Sequence, residues 1–290
     1  MTTTIRVALP NKGRLAEDAR RLFERAGLCA GFRDGRALVA SLGEGFEALL
    51  VRAQDIPEFV ADGAADVGVT GLDLVVESER RVRELLDLGF GRCRLVVAVT
   101  EESAIDAVMR IAPGTRVATP FPRSARRYFE ALGIPVEIAA LSGAAEVAPH
   151  LGVAEVIVDL TSTGSTLRVN GLREVATIME SSARLVVNED AWCDPARQGA
   201  IAELRAALES VLRAESKRYL MANVPRDALA QVKQIIPGIS GPTIVDVLDG
   251  GTMVAAHAVV DAPDVYRTIA RLKEIGAEGI LVTRIERLLP

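Results

Sequence analysis

Aromatic and histidine side chains are scarce in this 290-residue sequence. Aromatic residues make up 4% of it, so the hydrophobic core must be built mainly from Val, Leu, Ile and Ala. The two histidines, His150 and His257, stand alone, and no spacing supports a zinc site or a histidine paired with a nucleophile. The sequence therefore argues against zinc chemistry and against triad hydrolases.

Cysteine is also rare. Cys29, Cys93 and Cys193 are odd in number and widely spaced, which fits neither a disulfide framework nor a set of zinc ligands. We expect reduced, mostly buried thiols in a cytoplasmic protein.

Positive charge and long apolar runs are lacking as well. The net charge is −5, whereas a nucleic-acid surface usually needs a basic face. No apolar run approaches the roughly 18 residues that a membrane-spanning helix needs. Charges at Arg6, Lys12 and Arg14 leave no apolar core for a signal peptide. We expect no nucleic-acid partner and no membrane partner.

What is present is an alternation of strands and helices, which is typical of an α/β fold with a largely parallel sheet. Apolar runs and helical spacing predict a first lobe with strands at 5–9, 47–52 and 66–70 and helices at 15–26, at 56–61 and after residue 70. A second lobe follows, with strands at 94–100, 115–119, 136–141 and 156–160 and helices at 124–132 and 144–151.

The two lobes are expected to be joined by a double crossover. The segments 94–100 and 184–188 are similar in composition, and we interpret them as the strands by which the chain enters and leaves the second lobe. A cleft between the lobes would be a common kind of ligand site.

The C-terminal third has a different pattern. A long helix at 195–219 is followed by strand 219–223, helix 227–236, strands 243–247 and 254–260, helix 263–275 and strand 280–285. This βαββαβ order predicts a small ferredoxin-like domain.

The segment 159–166, DLTSTGST, is the strongest candidate for chemistry. It follows an apolar strand and precedes a helix, so backbone N–H groups around Gly164 and the helix dipole would favour a phosphate. Further donors would be the hydroxyls of Thr161, Ser162, Thr163, Ser165 and Thr166, and Asp159 could accept hydrogen bonds from a sugar. The alternative is an ordinary helix N-cap, where Ser and Thr are common without any ligand.

Other strand ends carry polar residues too. Lys12 and Arg14 follow the first strand, Arg52 ends the second, and Gly71 and Asp73 follow the third. Each could be a surface turn, but ligand crevices in open α/β sheets lie at the carboxyl ends of strands, where these residues converge. Glu146 is either a helix-start carboxylate or a substrate ligand.

Together these segments resemble the ATP phosphoribosyltransferase family, the first enzyme of histidine biosynthesis, in its long form with a regulatory domain. The resemblance covers nearly the whole chain and rests on seven segments in the expected order: ALPNKGRL, VRAQDIP, GVTGLDL, LGFGRCRL, SGAAEVAPHLGVAE, VDLTSTGSTLRVNGL and PGISGPTIVDVL. It implies a two-lobed fold of the type II periplasmic-binding-protein kind with an ACT-like third domain. The implied boundaries are 1–96 for lobe I, completed by 184–217, then 97–183 for lobe II and 218–290 for the regulatory domain.

The resemblance also implies a reaction and a set of site residues. The family transfers the phosphoribosyl group of phosphoribosyl pyrophosphate (PRPP) to the adenine ring of ATP, with Mg²⁺ held largely by the substrates. PRPP would be held by Asp159, Thr161, Ser162, Thr163, Gly164, Ser165, Thr166 and Glu146. The ATP and pyrophosphate side would be lined by Lys12, Gly13, Arg14, Arg52, Gly71 and Asp73. No general acid or base is assigned.

Regulation is implied for the C-terminal domain. Histidine would bind there as a feedback inhibitor, with Asn223 and Thr243 as contacts, in a homo-oligomer that is a dimer or a hexamer. The alternative is a purely structural oligomerisation domain. Two residues depart from the family pattern: Phe121 stands where Tyr is more frequent, and Asp246 stands where Pro is frequent.

Two rival functions remain at this point. A solute-binding protein has the same two-lobed shape, although it would normally carry an export signal. A catalytically dead regulatory subunit is the other, and the retention of Lys12, Arg14, Arg52 and Asp73 argues against it.

Overall fold

The computed structural model describes residues 4–28, 38–247 and 251–289, so Cys29 lies outside the described residues. Contacts between residues divide the chain into two units. Unit 1 comprises Met1–Arg21 and Leu28–Glu203, and unit 2 comprises Leu22–Gly27 and Leu204–Pro290. This division puts residues 204–217 in unit 2, whereas the sequence predicts that they belong to lobe I.

The first part of unit 1, lobe I, is a mixed sheet with short helices. Its elements are β1 (Ile5–Pro10), α1 (Ala16–Arg25), β2 (Val39–Gly43), β3 (Phe46–Val51), α2 (Ile56–Ala61), β4 (Val67–Gly71), α3 (Leu72–Ser78) and β5 (Arg83–Asp87). The chain then forms lobe II, with β6 (Cys93–Thr100), β7 (Arg116–Thr119), α4 (Pro122–Ala131), β8 (Glu137–Ala140), β9 (Val156–Thr161), α5 (Ser165–Val169) and β10 (Leu172–Ser181). It returns through β11 (Ala183–Val187), α6 (Glu189–Cys193) and α7 (Pro195–Glu215).

Each lobe has its own sheet. The strand order is β2-β3-β1-β4-β11-β5 in lobe I and β10-β6-β9-β7-β8 in lobe II. β1 is parallel to β3 and β4, and β7 is parallel to β8 and β9, so the carboxyl ends of these strands align within each lobe. β6 and β11 carry the chain into and out of lobe II, which confirms the predicted double crossover and the two-lobed fold class. The predicted boundary at residue 96 falls inside β6.

Three strands were not predicted, and one predicted helix is wrong. β5 and β10 have no clear apolar alternation, β10 is interrupted by two register shifts against β6, and β2 alternates but has only five residues. The segment 144–151 forms only a 3-10 turn at Ala145–Val147. Ala144 has a positive φ of 52°, and Pro149 offers no N–H to continue a helix, so Glu146 lies in a turn.

Apolar packing holds both faces of the lobe II sheet. One face packs Leu95, Val97 and Val158 against Phe129 of α4, and the other packs Val96 and Ile157 with the segments around the β9 loop. Because both faces are covered, β6 and β9 read as continuous apolar runs, which is why their positions could be predicted.

Unit 2 has the predicted βαββαβ order. It contains β12 (Lys217–Pro225), α8 (Leu229–Ile235), β13 (Thr243–Asp246), β14 (Met253–Asp261), α9 (Val265–Glu274) and β15 (Glu278–Arg284). The strand order is β13-β14-β12-β15. Leu220, Val224 and Val254 pack against α8 and α9 on one face, while the other face and all of β13 carry exposed or half-buried side chains.

Candidate active site

The loop that follows β9 is folded around Gly164. The buried hydroxyl of Thr161 accepts a hydrogen bond from the Gly164 N–H at 2.9 Å, and the hydroxyls of Thr163 and Ser165 lie 2.9 Å apart. Gly164 has a φ of 74°, which favours glycine, and a Cβ built there would lie 3.2 Å from a carboxylate oxygen of Glu174. The loop geometry therefore depends on glycine at this position.

The loop presents hydroxyls to solvent. Ser162, Thr163, Ser165 and Thr166 are exposed, and the N-cap of α5 is Gly164 itself, which has no side chain to cap the helix. Hydroxyls earlier in the loop do cap its N–H groups: Thr161 accepts from Gly164, and Thr163 accepts from the Ser165 N–H at 3.4 Å. α5 has only five residues, so the helix dipole that the sequence invoked is short, and charge must come from elsewhere.

Two carboxylates lie beside the loop. Burial, opposed in part by the Leu160 N–H and reinforced by the negative charge of Glu146, raises the pKa of Asp159 to about 6. The structure thus brings Glu146 and Asp159 together, as expected. His150 holds the Glu146 segment in place, because its Nε2 lies 2.7 Å from the carbonyl oxygen of Asn170, just after α5.

In lobe I, Arg14 and Asp73 form a second cluster. The carboxylate of Asp73 is only 1% exposed and lies 3.4 Å from the Arg14 guanidinium. It also accepts a hydrogen bond from the Ser181 hydroxyl, which in turn accepts one from the Asp73 N–H at 3.0 Å. Arg14 donates a further hydrogen bond to the carbonyl of Gly91. The Asp73 carboxylate therefore binds protein groups, and it lies buried behind Arg14 and not on the lining of the cleft.

Gly71 leaves the space that this cluster requires. It precedes α3, and a Cβ built on it would lie 2.2 Å from an oxygen of Asp73. Lys12 and Gly13 are exposed in the turn after β1, and Lys12 makes no ion pair with any described residue. Within the described residues, neither residue forms a hydrogen bond or an ion pair with the loop after β9.

Two cavities border these residues. The larger, about 600 Å³, lies between the lobes and is lined by Arg52, Glu58 and Glu77 of lobe I and by Phe121 and Leu141 of lobe II, among others. Arg52 is exposed at its mouth. Phe121 is 6% exposed and packs in the lobe II core. A buried apolar ring at this position does not need the hydroxyl that a tyrosine would bring.

The smaller cavity, about 300 Å³, lies where the chain crosses between the lobes. It is lined by Ser162 of the loop after β9, by Arg92 and Arg94, and by Ser181 and Ser182, among others. Ser181 also contacts Asp73, so this cavity links the loop to the Arg14 cluster. Ser181 and Glu174 could not be predicted as site residues, because both lie on β10, which has no clear strand pattern. Arg94 lies in the LGFGRCRL segment, but nothing in that segment indicates its partner.

Helix ends of the two lobes cap each other near the larger cavity. The carboxylate of Glu77 accepts hydrogen bonds from the N–H groups of Arg123 and Ser124 at 3.0 and 2.8 Å and from the Ser124 hydroxyl at 2.7 Å, all at the start of α4. In return, Arg123 donates to the carbonyl oxygens of Glu77 and Ser78 at 3.2 and 2.8 Å, at the end of α3. We call this arrangement the α3–α4 clasp.

Comparison with known proteins identifies the family. A family model described as HisG: ATP phosphoribosyltransferase matches residues 52–210, and a HisG C-terminal domain model matches residues 214–287. An ATP phosphoribosyltransferase of Gemmatimonas aurantiaca is 59% identical over 291 residues, which cover 99% of this chain and 100% of the relative. The chain belongs to the ATP phosphoribosyltransferase family. It is therefore an enzyme of that class, and the resemblance read from the seven segments is confirmed.

Other relatives agree. The ATP phosphoribosyltransferase of Haloarcula marismortui is 50% identical, covering 98% of this chain and 100% of the relative. A chain of the ATP phosphoribosyl transferase (HisG:HisZ) complex from Thermotoga maritima superposes with a TM-score of 0.65 and 28% identity, covering 73% of this chain and all of that chain. The crystal structure of Tv2483 bound to L-arginine, at 11% identity and a TM-score of 0.51, shares the fold alone; it covers 74% of this chain and 87% of that chain.

The expected effector residues lie on the open face of the unit 2 sheet. Asn223 and Thr243 are both exposed, and their register partners on β14 are Ala255 and His257. His257 is fixed there, since its Nδ1 lies 3.1 Å from the Tyr219 hydroxyl. Asp246, at the end of β13, pairs with Arg226, which gives this departure from the family pattern a structural role.

Among the described residues, no helix is both long and apolar enough to cross a membrane. In the same ranges, no group of three or more His, Cys, Asp or Glu side chains is arranged to hold a metal ion.

Proposed function

We propose that unit 1 carries out the reaction of this family in the cleft between its lobes, with PRPP anchored by the loop after β9. The reaction transfers the phosphoribosyl group of PRPP to the adenine ring of ATP, releases pyrophosphate and is the first step of histidine biosynthesis. The observation that carries the placement is the set of exposed hydroxyls around Gly164 beside the Asp159–Glu146 pair.

The loop would bind the 5-phosphate of PRPP. Its backbone turns at Gly164, and the exposed hydroxyls of Ser162 and Thr166, with whichever of the Thr163 and Ser165 hydroxyls does not donate to the other, can donate to phosphate oxygens. Asp159 and Glu146 would accept hydrogen bonds from the ribose hydroxyls. These contacts fix the anomeric carbon, so they contribute mainly by positioning.

Lobe I would hold the pyrophosphate and the triphosphate of ATP. Arg14 is oriented by Asp73 and by the Gly91 carbonyl, and its remaining N–H groups can neutralise charge on the leaving group. Lys12 and Gly13 lie in the adjoining turn, and Arg52 stands at the mouth of the larger cavity. Asp73 and Gly71 act indirectly, by shaping the seat of Arg14.

Mg²⁺ is the metal that we propose for this reaction. The carboxylates of Asp159 and Glu146 are hard oxygen donors of the kind that Mg²⁺ uses, and Mg²⁺ commonly takes its other ligands from substrate oxygens and water. When bound, it would supply Lewis-acid stabilisation of the pyrophosphate charge. The chain's own residues then have only to orient the ribose and the leaving group.

Replacement of Asp159 tests the placement of PRPP. Asp159→Ala should lower kcat and raise KM for PRPP while the variant stays folded, because the ribose loses its hydrogen-bond acceptor. Steady-state assays with ATP, PRPP and Mg²⁺ measure both constants, and Asp190→Ala, at an exposed residue of α6, serves as control. Unchanged kinetics for Asp159→Ala would remove the loop from the site.

Replacement of Lys12 or Arg14 tests the assignment of lobe I. Lys12→Ala and Arg14→Ala should weaken the binding of ATP and pyrophosphate more than that of ribose 5-phosphate, as measured by calorimetric titration. The reverse order of effects would contradict the placement of pyrophosphate in lobe I.

A rival with the same fold is a protein that binds without catalysis. Incubation of the protein with ATP, PRPP and Mg²⁺ distinguishes the two, since formation of phosphoribosyl-ATP requires the enzyme. Binding of both substrates without that product would favour the solute-binding alternative or a catalytically dead subunit.

We further propose that unit 2 binds histidine as a feedback inhibitor in a homo-oligomer, a dimer or a hexamer. Asn223→Ala and Thr243→Val, on the open sheet face, should weaken inhibition without changing uninhibited kcat; Thr283→Val on β15 is the control. If the wild-type enzyme is insensitive to histidine, unit 2 is a structural oligomerisation domain instead, and mass photometry reports the oligomer in either case.

A further inference from the structure

The loop assigned to the 5-phosphate has an acidic surrounding. Asp159 lies at its start, Glu146 is near enough for its charge to act on Asp159, and a carboxylate oxygen of Glu174 on β10 lies 3.2 Å from where a Gly164 Cβ would be. Arg168 of α5 is the basic residue beside the loop: it donates to the Thr163 carbonyl at 3.4 Å, and a terminal nitrogen lies 3.3 Å from the same Cβ position. A dianionic phosphate would therefore meet more negative than positive charge unless another cation contributes.

Arg94 on β6 supplies that cation from beneath the loop. Its two terminal nitrogens lie 3.0 and 2.8 Å from the two carboxylate oxygens of Glu174, which is a bidentate pair. In the sheet, Arg94 is the register partner of Thr161, the residue whose hydroxyl fixes the Gly164 N–H. Arg94 also lines the same small cavity as Ser162.

We propose that Arg94 is a positioning residue for PRPP, which neutralises Glu174 and holds its carboxylate in a bidentate pair so that the loop can accept the dianion. This inference rests on the proposed PRPP role of the loop and adds a charge requirement to it. In this arrangement the guanidinium need not touch the substrate. Its contribution is the removal of a repulsive charge at short range, in a partly exposed pair (36% for Arg94 and 26% for Glu174) where water screens the charge only in part.

The role predicts a pattern that simple loss of structure does not. Arg94→Gln leaves Glu174 unpaired beside the phosphate, so KM for PRPP should rise about tenfold or more, while KM for ATP and kcat stay within about twofold. Glu174→Gln removes the repulsive charge, so KM for PRPP should stay equal or fall. The double variant should return KM for PRPP toward the wild-type value.

A second carboxylate, that of Glu180, could pair with Arg94 in these variants. Glu180 is the register partner of Arg94 on β10 and lines the same cavity. Arg94 in the Glu174→Gln variant can turn to Glu180 without bringing a carboxylate to Gly164. Arg94→Lys keeps the charge but loses the bidentate geometry, and it should recover part of the affinity that Arg94→Gln loses.

The control is a bidentate pair elsewhere in unit 1. Arg83 contacts both carboxylate oxygens of Glu189, and both side chains are about half exposed. Arg83→Gln should leave KM for PRPP and for ATP unchanged. Melting temperatures of all variants report whether the fold is retained.

The deciding measurement is the calorimetric affinity for ribose 5-phosphate and the KM for PRPP across the five variants. Recovery in the double variant supports the inference. A double variant as weak as Arg94→Gln overturns it, because the loss would then not come from Glu174; so does an Arg94→Gln variant with wild-type affinity. A wild-type protein that does not bind ribose 5-phosphate would instead overturn the role of the loop itself.

Discussion

At the scale of single residues, Asp159 shows how burial and function conflict. Burial and the charge of Glu146 raise the pKa of its carboxyl from 3.8 to about 6, so the fold favours the protonated form. The proposed contact with ribose hydroxyls needs the ionised form. The protein therefore keeps a charged group where its charge is unfavourable, which is typical of a ligand site.

The raised pKa of Asp159 should make the binding of PRPP depend on pH. In wild type, kcat/KM for PRPP should fall as pH decreases through about 6, because Asp159 takes up a proton there. Glu146→Gln removes the negative neighbour, so the inflection should move to lower pH. Titration of the substrates themselves is the same for both proteins, so the difference between their pH profiles isolates the carboxyl pair. Coinciding inflections would contradict the coupling.

The raised pKa of Asp159 should also make the stability of the folded protein depend on pH. Because the folded pKa of Asp159 lies above the unfolded value of 3.8, its stabilising contribution is present below pH 3.8 and is lost as pH rises through about 6. Asp159→Asn should therefore raise the melting temperature relative to wild type, more at pH 8 than at pH 5. Differential scanning fluorimetry measures this, and a larger gain at pH 5 would contradict the sign.

At the scale of elements, the α3–α4 clasp is the clearest case of one element completing another. Phe121, the N-cap of α4, makes no side-chain cap, and the missing acceptor comes from Glu77 in the other lobe. Glu77→Ala should lower the free energy of unfolding by about 1–2 kcal/mol, the usual value of a lost N-cap. Hydrogen exchange at Arg123 and Ser124 should become faster.

Glu58 offers a matched control for that prediction. It lines the same cavity, but its partner Arg80 also contacts Asp62, and the groups are largely exposed. Glu58→Ala should change stability by less than about 0.5 kcal/mol. If urea unfolding shows an equal loss of free energy for Glu58→Ala and Glu77→Ala, the hydrogen bonds of the clasp stabilise the protein no more than a surface ion pair does.

The elements that sequence could predict are those with local signals. β6 and β9 are apolar runs, and the loop after β9 has its Gly and hydroxyls in a row. β10 alternates poorly and is bulged, so its strand character depends on pairing with β6. The contact of Arg94 with Glu174 joins residues 80 apart in sequence, and no pattern along the chain encodes it.

At the scale of the whole molecule, unit 2 is built from separated pieces of chain. It includes Leu22–Gly27, and within it Arg287 donates to the Arg25 carbonyl at 3.4 Å and the Leu288 N–H to the Ser210 carbonyl at 2.9 Å. A chain that ends before Arg226 would lose these contacts and expose Leu220 and other core residues of the β12 face.

That organisation gives the last prediction. Deletion of residues 226–290 should yield a chain that aggregates, because apolar surface buried in unit 2 loses its cover. Size-exclusion chromatography with light scattering measures this. A monodisperse and active truncated chain would show that the ferredoxin-like part is dispensable for folding, and it would make deletion a usable test of histidine inhibition.

The short helix α3 connects two contacts, one with Arg14 and one with α4, that would otherwise be separate. Its seven residues span about 10 Å. At one end Asp73 fixes the Arg14 guanidinium, and at the other Glu77 grips the start of α4. Any variant that alters the contact of Glu77 with α4 therefore acts on the same seven-residue helix whose other end holds Arg14.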